Sequence, residues 1–197
     1  MNWYTYDIRA LSDAEYARYY AMLAEEKRRR VDRFRFPEDK KRSVAGEMLA
    51  RRAVAERCGV PEERIVFATR PDGKPFARGL PAEFNVSHSG NLAVCAADAR
   101  PVGIDVEELR PVDLKIAKRV CAAGELEYLF GRAPAPSDFV HTEDPALLER
   151  FYTLWTRKEA FVKCGGEGIA RIAEPLPETG FQTFREDGYI ISIYQES

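Results

Sequence analysis

Helical and strand patterns follow one another in blocks along this chain, and that order narrows the fold more than any other feature. Apolar residues at helical spacing precede Cys58, and short β-branched and aromatic segments bounded by Gly, Asn or Pro come next. A second helical region then extends to Gly165, before a last apolar strand near the end. Because helices and strands do not alternate one by one, the order disfavours a doubly wound parallel sheet and predicts an α+β fold.

Capping and turn residues place the predicted elements. Ser12 and Glu15 form a capping box that starts a helix, and Gly59 ends a later one. The segments 91–95 and 188–192 are apolar strands of similar composition, which hints at a duplicated unit. Strands are predicted at 3–8, 65–69, 84–86, 92–97, 102–107 and 189–194, helices at 114–120 and 125–130, and the longest helix at 144–164.

The charge of the chain is nearly balanced, with 30 Lys and Arg against 32 Asp and Glu and a formal net charge of −2. This balance excludes a globally basic nucleic-acid binder. Between residues 25 and 42, however, nine basic side chains stand against five acidic ones, which indicates either a local anion-binding surface or a solvated helix face. Four scattered cysteines with no Cys-x-x-Cys pair, and no apolar run long enough to span a bilayer, predict a soluble chain in a reducing, cytoplasmic compartment.

Two carboxylates share one face of the predicted strand 102–107. The two-residue period of a strand puts Asp105 and Glu107 on one side, and Ile104 and Val106 on the other. Like charges this close repel each other unless one is protonated or a cation lies between them, and all-oxygen ligands favour Mg²⁺. A solvated strand face explains the same pattern, so the sequence leaves both interpretations open.

The predicted helix 144–164 carries a lysine on its apolar side. Successive residues at 100° intervals place Lys158 among leucines and aromatic residues, with Thr156 and Ala160 on the opposite side. An unpaired buried ammonium is costly, so Lys158 must reach the rim or pair with an anion. Glu159 lies at the edge of the same side, and Lys163 follows one turn later. Such a group can hold a phosphate and a general base, although a surface salt bridge explains it equally well.

A histidine flanked by serines lies in the segment 84–90, between two predicted strands. Ser87 and Ser89 can donate hydrogen bonds to a phosphate, but no acidic partner near His88 supports a serine hydrolase. Together with the Gly-Lys-Pro turn at 73–75, the basic segment and the carboxylate pair, this arrangement indicates Mg²⁺-assisted chemistry on a multiply phosphorylated ligand.

In combination, these motifs resemble the 4′-phosphopantetheinyl transferases of the surfactin-synthetase-activating type. The resemblance covers roughly residues 1–170, with motifs in the family's order at 73–75, 84–90, 103–107 and 155–163. It implies a pseudo-dimer of two similar α+β halves, 1–102 and 103–197, with a cofactor cleft between them. Such enzymes move the phosphopantetheine arm of coenzyme A onto a serine of an apo acyl or peptidyl carrier protein and release adenosine 3′,5′-bisphosphate.

The resemblance also implies roles for the acidic residues. Asp105, Glu107 and Glu125 would bind Mg²⁺ together with the pyrophosphate of coenzyme A. The residues before Glu125 depart from the family pattern, which makes Glu127 a substitute for it. Glu159 would be the base that activates the carrier serine, directly or through water.

The same resemblance assigns the basic residues to phosphates. Lys158 and Lys163 would face the phosphates and take part in catalysis. The nucleotide and its 3′-phosphate would contact Lys27, Arg30, Arg42, Lys74, Ser87 and His88, and Pro75 would line the adenine site.

Two other functions remain as hypotheses at this point. A Mg²⁺-dependent nucleotide phosphohydrolase would use the same carboxylates with water as the acceptor, and a nucleic-acid-binding module would use the segment 27–42. The transferase hypothesis predicts a monomer, because one chain supplies both halves, with no nucleic-acid or membrane partner. The short stretch after Lys163 predicts that the second half has lost strands and ends with 189–194.

Overall fold

A computed structural model describes residues 1–166 and 171–196 of the chain. The first part contains strands β1 (Asn2–Asp7), β2 (Phe67–Thr69), β3 (Pro75–Ala77), β4 (Glu83–Ser89) and β5 (Leu92–Asp98), and helices α1 (Asp13–Ala21), α2 (Glu25–Asp32) and α3 (Pro37–Cys58). The second contains β6 (Gly103–Glu108), β7 (Val112–Asp113), β8 (His141–Thr142), β9 (Phe181–Glu186) and β10 (Tyr189–Tyr194), and helices α4 (Ala117–Val120), α5 (Ala123–Phe130) and α6 (Pro145–Gly165).

The two main sheets have the same topology. Their strand orders are β1-β5-β4 and β6-β10-β9, and every neighbouring pair is antiparallel. In each sheet the last strand is central, between the first strand and its own hairpin partner. One long helix packs on each sheet, α3 on β4 and β5, and α6 on β6 and β10. The predicted α+β pseudo-dimer is therefore confirmed, and the two apolar strands that hinted at duplication are the central strands β5 and β10.

Local sequence signals account for the ends of the helices. The predicted capping box is present at the start of α1, where Ser12 accepts a hydrogen bond from the backbone N–H of Glu15. Helix α3 begins with Pro37, whose missing N–H costs nothing in the first turn. It ends at Gly59, whose φ of 66° lies in the left-handed region that glycine adopts without strain.

Helix α6 is buried on two sides, which the periodicity of its sequence does not reveal. Leu148 and Phe151 pack against the core formed with α5, as the apolar side predicts. Thr156 and Ala160, on the opposite side, are also fully buried, because the sheet of β6 and β10 covers them. The Thr156 hydroxyl lies 2.7 Å from that of Ser192 on β10, so a hydrogen bond satisfies the buried polar group.

The structure differs from the sequence predictions in several places, including the short strands β3, β7 and β8, which were not predicted. Strand β9 was not predicted, because its sequence, FQTFRE, is half polar and forms a sheet edge. With β9 the second sheet has three strands like the first, so the described residues do not show the loss of strands that the short ending suggested. The predicted longest helix, α6, has 21 residues and is one shorter than α3 with 22.

Within residues 1–166 and 171–196, no helix combines the length and the hydropathy that crossing a bilayer requires.

Candidate active site

The carboxylate pair lies where the two sheets meet. Strands β4 and β6 run side by side although they belong to different sheets, and side chains of β4 bridge the gap between them. We call this contact the inter-sheet seam, and define it by residues 85, 87 and 89 of β4 and 104–108 of β6. At its centre the Ser87 hydroxyl donates a hydrogen bond to Asp105 Oδ1 over 2.7 Å.

Asp105 is buried, with 3% of its surface exposed, and its two carboxylate oxygens have different surroundings. Oδ1 accepts the hydrogen bond from Ser87 and lies 2.5 Å from the ammonium of Lys163 on α6. Oδ2 is buried, and within the described part of the chain it has no hydrogen-bond partner. A buried carboxylate oxygen without a partner is costly, so this atom is suited to receive a cation.

Glu107 and Glu159 share the electrostatic surroundings of Asp105. Burial raises the pKa of Glu107. The charge of Asp105 raises this pKa further, whereas hydrogen bonds from Ser89 and Trp155 lower it. Burial also raises the pKa of Glu159, Lys163 lowers it, and the charges of Asp105 and Glu107 raise it again. Three carboxyl groups from β6 and α6 therefore interact around one ammonium group.

The donor set fits Mg²⁺ as a partly protein-bound ion. Among the described residues, no group of three His, Cys, Asp or Glu side chains has the geometry of a complete metal centre. Mg²⁺ commonly binds through one or two carboxylates and takes its remaining ligands from water and substrate phosphates. Asp105, with its unpartnered oxygen, and Glu107 supply such a carboxylate pair.

Glu125, which the resemblance implies as the third metal ligand, pairs with Lys158 in the structure. Its Oε2 lies 2.8 Å from the ammonium of Lys158, and it also accepts two backbone hydrogen bonds. Lys158 is 1% exposed and donates its other hydrogen bond to the carbonyl of Glu174 over 2.8 Å. The lysine on the apolar side of α6 thus pairs with an anion, and that anion is a carboxylate. Glu127, the substitute, is exposed on α5.

A basic groove of about 1350 Å³ lies beside the seam, between α2, α3 and strands β2 and β4. Its wall contains five of the predicted nucleotide-binding residues, which are Lys27, Arg30, Arg42, Pro75 and His88. It also contains arginines that the resemblance did not assign, at positions 29, 33, 51 and 78. For the arginines at positions 29 and 33, the sequence signal was the excess of positive charge in the segment 25–42.

Buried hydrogen bonds hold the groove's cations in place. Glu47, 3% exposed, accepts from Lys27 Nζ and from Arg51 Nε, each over 2.9 Å. Arg42 donates to the carbonyl of Gly90 over 2.7 Å. These bonds fix the long side chains before a ligand arrives, which lowers the entropy cost of binding. Sequence reasoning missed Glu47 and Arg51, because charged residues inside α3 look like a solvated helix surface.

His88 connects the groove to the carboxylates. Desolvation lowers its pKa, a backbone hydrogen bond opposes this change, and the charges of Arg42, Lys163 and Lys27 lower it further. Since Lys163 also contacts Asp105, the end of the groove that contains His88 lies next to the seam. A neutral imidazole that is open to the groove can donate a hydrogen bond to an anion.

Lys74 lies outside the groove wall, although its neighbours Gly73 and Pro75 are part of it. Its ammonium is buried and donates to the carbonyl of Cys164, at the end of α6, over 3.0 Å. Burial lowers the pKa of Lys74. The side chain therefore anchors the Gly-Lys-Pro turn to α6, the helix that also carries Glu159.

Comparisons with known proteins identify the family of the chain. A family model described as 4′-phosphopantetheinyl transferase, N-terminal, matches residues 10–100, and one described as 4′-phosphopantetheinyl transferase superfamily matches residues 101–197. The 4′-phosphopantetheinyl transferase psf-1 of Bacillus pumilus is 42% identical over 165 residues, which are 81% of this chain and 66% of the relative. The 4′-phosphopantetheinyl transferase Sfp of Bacillus subtilis is 35% identical over 184 residues, which are 92% of this chain and 75% of the relative.

A cyanobacterial relative extends the comparison. The 4′-phosphopantetheinyl transferase HetI of Nostoc is 37% identical over 161 residues, which are 78% of this chain and 64% of the relative. The chain thus spans about two thirds to three quarters of the length of these relatives. On these matches, and on the motifs at the seam and in the groove, the chain belongs to the 4′-phosphopantetheinyl transferase family, in its surfactin-synthetase-activating type.

Proposed function

We propose that the chain transfers the 4′-phosphopantetheine group of coenzyme A to a serine of an apo acyl or peptidyl carrier protein, with Mg²⁺ bound at Asp105 and Glu107. The observation that supports this best is the buried, unpartnered Oδ2 of Asp105. The same carboxylate pairs through Oδ1 with Lys163, whose charge also acts on His88 in the wall of a basic groove large enough for a nucleotide. An anion-binding groove that leads to a cation-binding carboxylate pair suits a pyrophosphate substrate.

In this proposal the first half, 1–102, binds the nucleotide. Its groove holds the 3′-phosphate and the adenosine through cations that are already held by hydrogen bonds. The proposed contacts are Lys27, Arg30, Arg42 and His88 for the phosphates and Pro75 for the adenine. Lys74 holds the turn that carries Pro75, and Ser87 holds the carboxylate of Asp105.

The second half, 103–197, carries out the chemistry. Bound Mg²⁺ supplies positive charge at the pyrophosphate and at the phosphate group that leaves. Burial raises the pKa of Glu159. Its carboxylate accepts the proton of the carrier serine. The serine oxygen forms a bond to the phosphorus of the phosphopantetheine arm as the bond from that phosphorus to adenosine 3′,5′-bisphosphate breaks.

Two cations of α6 have separate roles in this mechanism. Lys163, next to Asp105, neutralises charge on the pyrophosphate as the bond breaks. Lys158, paired with Glu125, holds α6 against α5 and so keeps the neighbouring Glu159 in position.

We also propose a cytoplasmic, monomeric enzyme without nucleic-acid or membrane partners. Its cysteines at 58, 95, 121 and 164 are all free, as is usual in a reducing compartment. A single chain supplies both the groove and the carboxylates, so no second copy is needed to complete the site.

The test is to incubate the purified protein with coenzyme A, Mg²⁺ and a panel of apo carrier proteins, and to record the intact mass of each carrier. We expect a gain of one phosphopantetheine that EDTA abolishes, and a rate at least about 100-fold lower for Asp105→Asn. Asp113→Asn, at an exposed site on β7, is the matched control and should transfer at the wild-type rate. Consumption of coenzyme A without a mass gain on any carrier would instead support the phosphohydrolase.

A further inference from the structure

Two polar side chains of the inter-sheet seam have no part in the proposed function. Asn85 and Ser89 are 6% and 7% exposed, and both point from β4 towards β6. Because side chains alternate along a strand, they lie on the same face of β4 as Ser87. Three successive residues of this face therefore contact β6.

Asn85 fixes the position of β6 just before Asp105. Its Oδ1 accepts a hydrogen bond from the backbone N–H of Ile104 over 3.0 Å. This amide oxygen occupies the place that a backbone carbonyl takes between the paired strands of one sheet. The bond fixes the register of β6 relative to β4, and with it the starting point of the Asp105 side chain.

Ser89 contacts β6 at the other carboxylate. Its hydroxyl lies 2.7 Å from Glu107 Oε2 and 3.2 Å from the backbone nitrogen of Glu108. A backbone N–H can only donate, so the serine oxygen accepts that bond and its single proton is left for Glu107. The direction of the hydrogen bond to the carboxylate is therefore set by the backbone of β6.

We propose that Ser89 is a positioning residue that orients the Glu107 carboxylate for the metal ion. This inference rests on the proposed function, which places Mg²⁺ at Asp105 and Glu107. Groups that hydrogen-bond to a metal ligand restrict its orientation, and their loss commonly costs about 10–100-fold in metal affinity. Glu107 needs such a partner because it lies near the end of β6, where its side chain is only partly buried.

The seam also explains why the two halves must pack together. The carboxylates come from β6, whereas the side chains that orient them come from β4. The first half thus contributes to metal binding without supplying a ligand. A metal site assembled in this way is complete only when the two sheets are in contact.

The test measures Mn²⁺ binding to the full chain by electron paramagnetic resonance, with and without coenzyme A. Ser89→Ala should weaken Mn²⁺ binding about tenfold, and Ser89→Thr, which keeps the hydroxyl, should restore most of the affinity. Thr142→Val is the control for the loss of a buried hydroxyl, because Thr142 is 9% exposed, lies on β8 outside the seam and accepts a hydrogen bond from the backbone N–H of Asp144. Its Mn²⁺ affinity should equal that of the wild type.

Wild-type Mn²⁺ affinity in a folded Ser89→Ala variant would overturn the inference, and so would an equal loss in Thr142→Val. If Ser89→Ala fails to fold, Ser89→Cys replaces it, because the thiol has a similar size and is a weaker donor. An intermediate affinity would then support the inference, and a wild-type affinity would overturn it. If the wild type itself binds no Mn²⁺, both the proposed metal site and this inference are wrong. That outcome differs from the one in which the wild type binds Mn²⁺ and Ser89→Ala binds it equally well, where only the inference is wrong.

Discussion

Glu159 and Glu107 occupy positions where burial and neighbouring carboxylates raise their pKa values. The ionised forms that the proposed mechanism requires therefore cost more free energy here than they would on an exposed carboxyl group. A cation bound at the proposed metal site would reduce this repulsion, so residues that weaken the free fold would become favourable in the loaded enzyme. Such opposition between stability and function is common at active sites.

The first residue-level prediction concerns Glu159→Gln. Folded Glu159 binds a proton more readily than it does in the unfolded chain, so its contribution to the free energy of unfolding rises as the pH falls through the raised pKa. That contribution is complete below the ordinary value of 4.5. Removing the charge should raise the melting temperature at neutral pH, by about 2–4 °C for each kcal/mol gained. The gain should shrink as the pH falls.

Thermal unfolding followed by circular dichroism between pH 4.5 and 8 measures this effect. Glu149→Gln is the control on the same helix, because Glu149 is half-exposed and pairs with Arg185. It should show no gain at neutral pH. A melting temperature of Glu159→Gln at or below that of the wild type at pH 7 would contradict the account.

The second residue-level prediction concerns His88. Desolvation and neighbouring cations lower the pKa of its imidazole from the ordinary value of 6.5. Adenosine 3′,5′-bisphosphate brings negative charge into the groove and should raise that pKa, because the imidazolium form gains a partner. Titration of the imidazole resonances by NMR, with and without the nucleotide, measures the change. The resonances of His141, the other histidine, should not respond to the nucleotide. A His88 titration that the nucleotide leaves unchanged would remove His88 from the binding site.

At the scale of the elements, the close contact between β6 and α6 positions the reacting groups. Asp105 and Glu107 lie on β6, and Glu159 and Lys163 lie on α6. A Cβ atom at Gly103 would lie 1.9 Å from the backbone oxygen of Ala160, so only glycine permits this approach. Small residues at the contact thus determine the distance between the carboxylates of β6 and Glu159, the proposed base.

Gly103→Ala should therefore destabilise the protein strongly, by at least about 3 kcal/mol, because the clash involves backbone on both elements. Gly124→Ala on α5 is the control, since nothing lies within 4 Å of its Cβ position. It should leave stability unchanged or raise it by about 0.5–1 kcal/mol, as alanine favours a helix. Urea unfolding of both variants measures the difference. Equal stabilities would show that β6 and α6 are farther apart than in the structure.

The sequence predicted most elements because their signals are local. Capping residues, turn glycines and alternating apolar residues identify α1, α3, β5 and β10 without knowledge of the rest of the fold. Strand β9 escaped because an edge strand is only half apolar, and its pairing with β10 is decided by the hairpin between them. The sequence analysis missed the second buried side of α6 because Thr and Ala contribute little to a hydrophobic pattern. These residues are buried only because the sheet covers them.

For the site, the motifs pointed to residues that the structure places at the seam and in the groove, but they did not show what each side chain contacts. The apolar surroundings of Lys158 left two outcomes open, reaching the rim or pairing with an anion. The structure shows the second, and periodicity does not identify the anion as Glu125. Lys74 lies in a motif beside the groove, yet its ammonium reaches the end of α6. Such long-range pairings depend on the packing of the two halves, which no local pattern contains.

At the scale of the whole molecule, the two similar halves carry different sets of charged side chains. Both halves have one long helix on a three-stranded sheet, in the same strand order. The first half has placed basic residues around a groove, whereas the second has placed carboxylates at the seam. We infer that binding of the nucleotide and transfer of the arm are separable, although the two sites are adjacent.

The most direct test of whether nucleotide binding and transfer are separable is the affinity for coenzyme A without metal, measured by isothermal titration calorimetry in EDTA. Arg30→Ala, in the groove wall, should weaken binding about tenfold, which corresponds to about 1.4 kcal/mol. Arg132→Ala, at an exposed site that pairs with Asp138, is the charge-matched control and should bind like the wild type. Asp105→Asn should bind within about threefold of the wild type, because its role begins only when metal is present. A loss of metal-free binding in Asp105→Asn as large as that in Arg30→Ala would contradict the account.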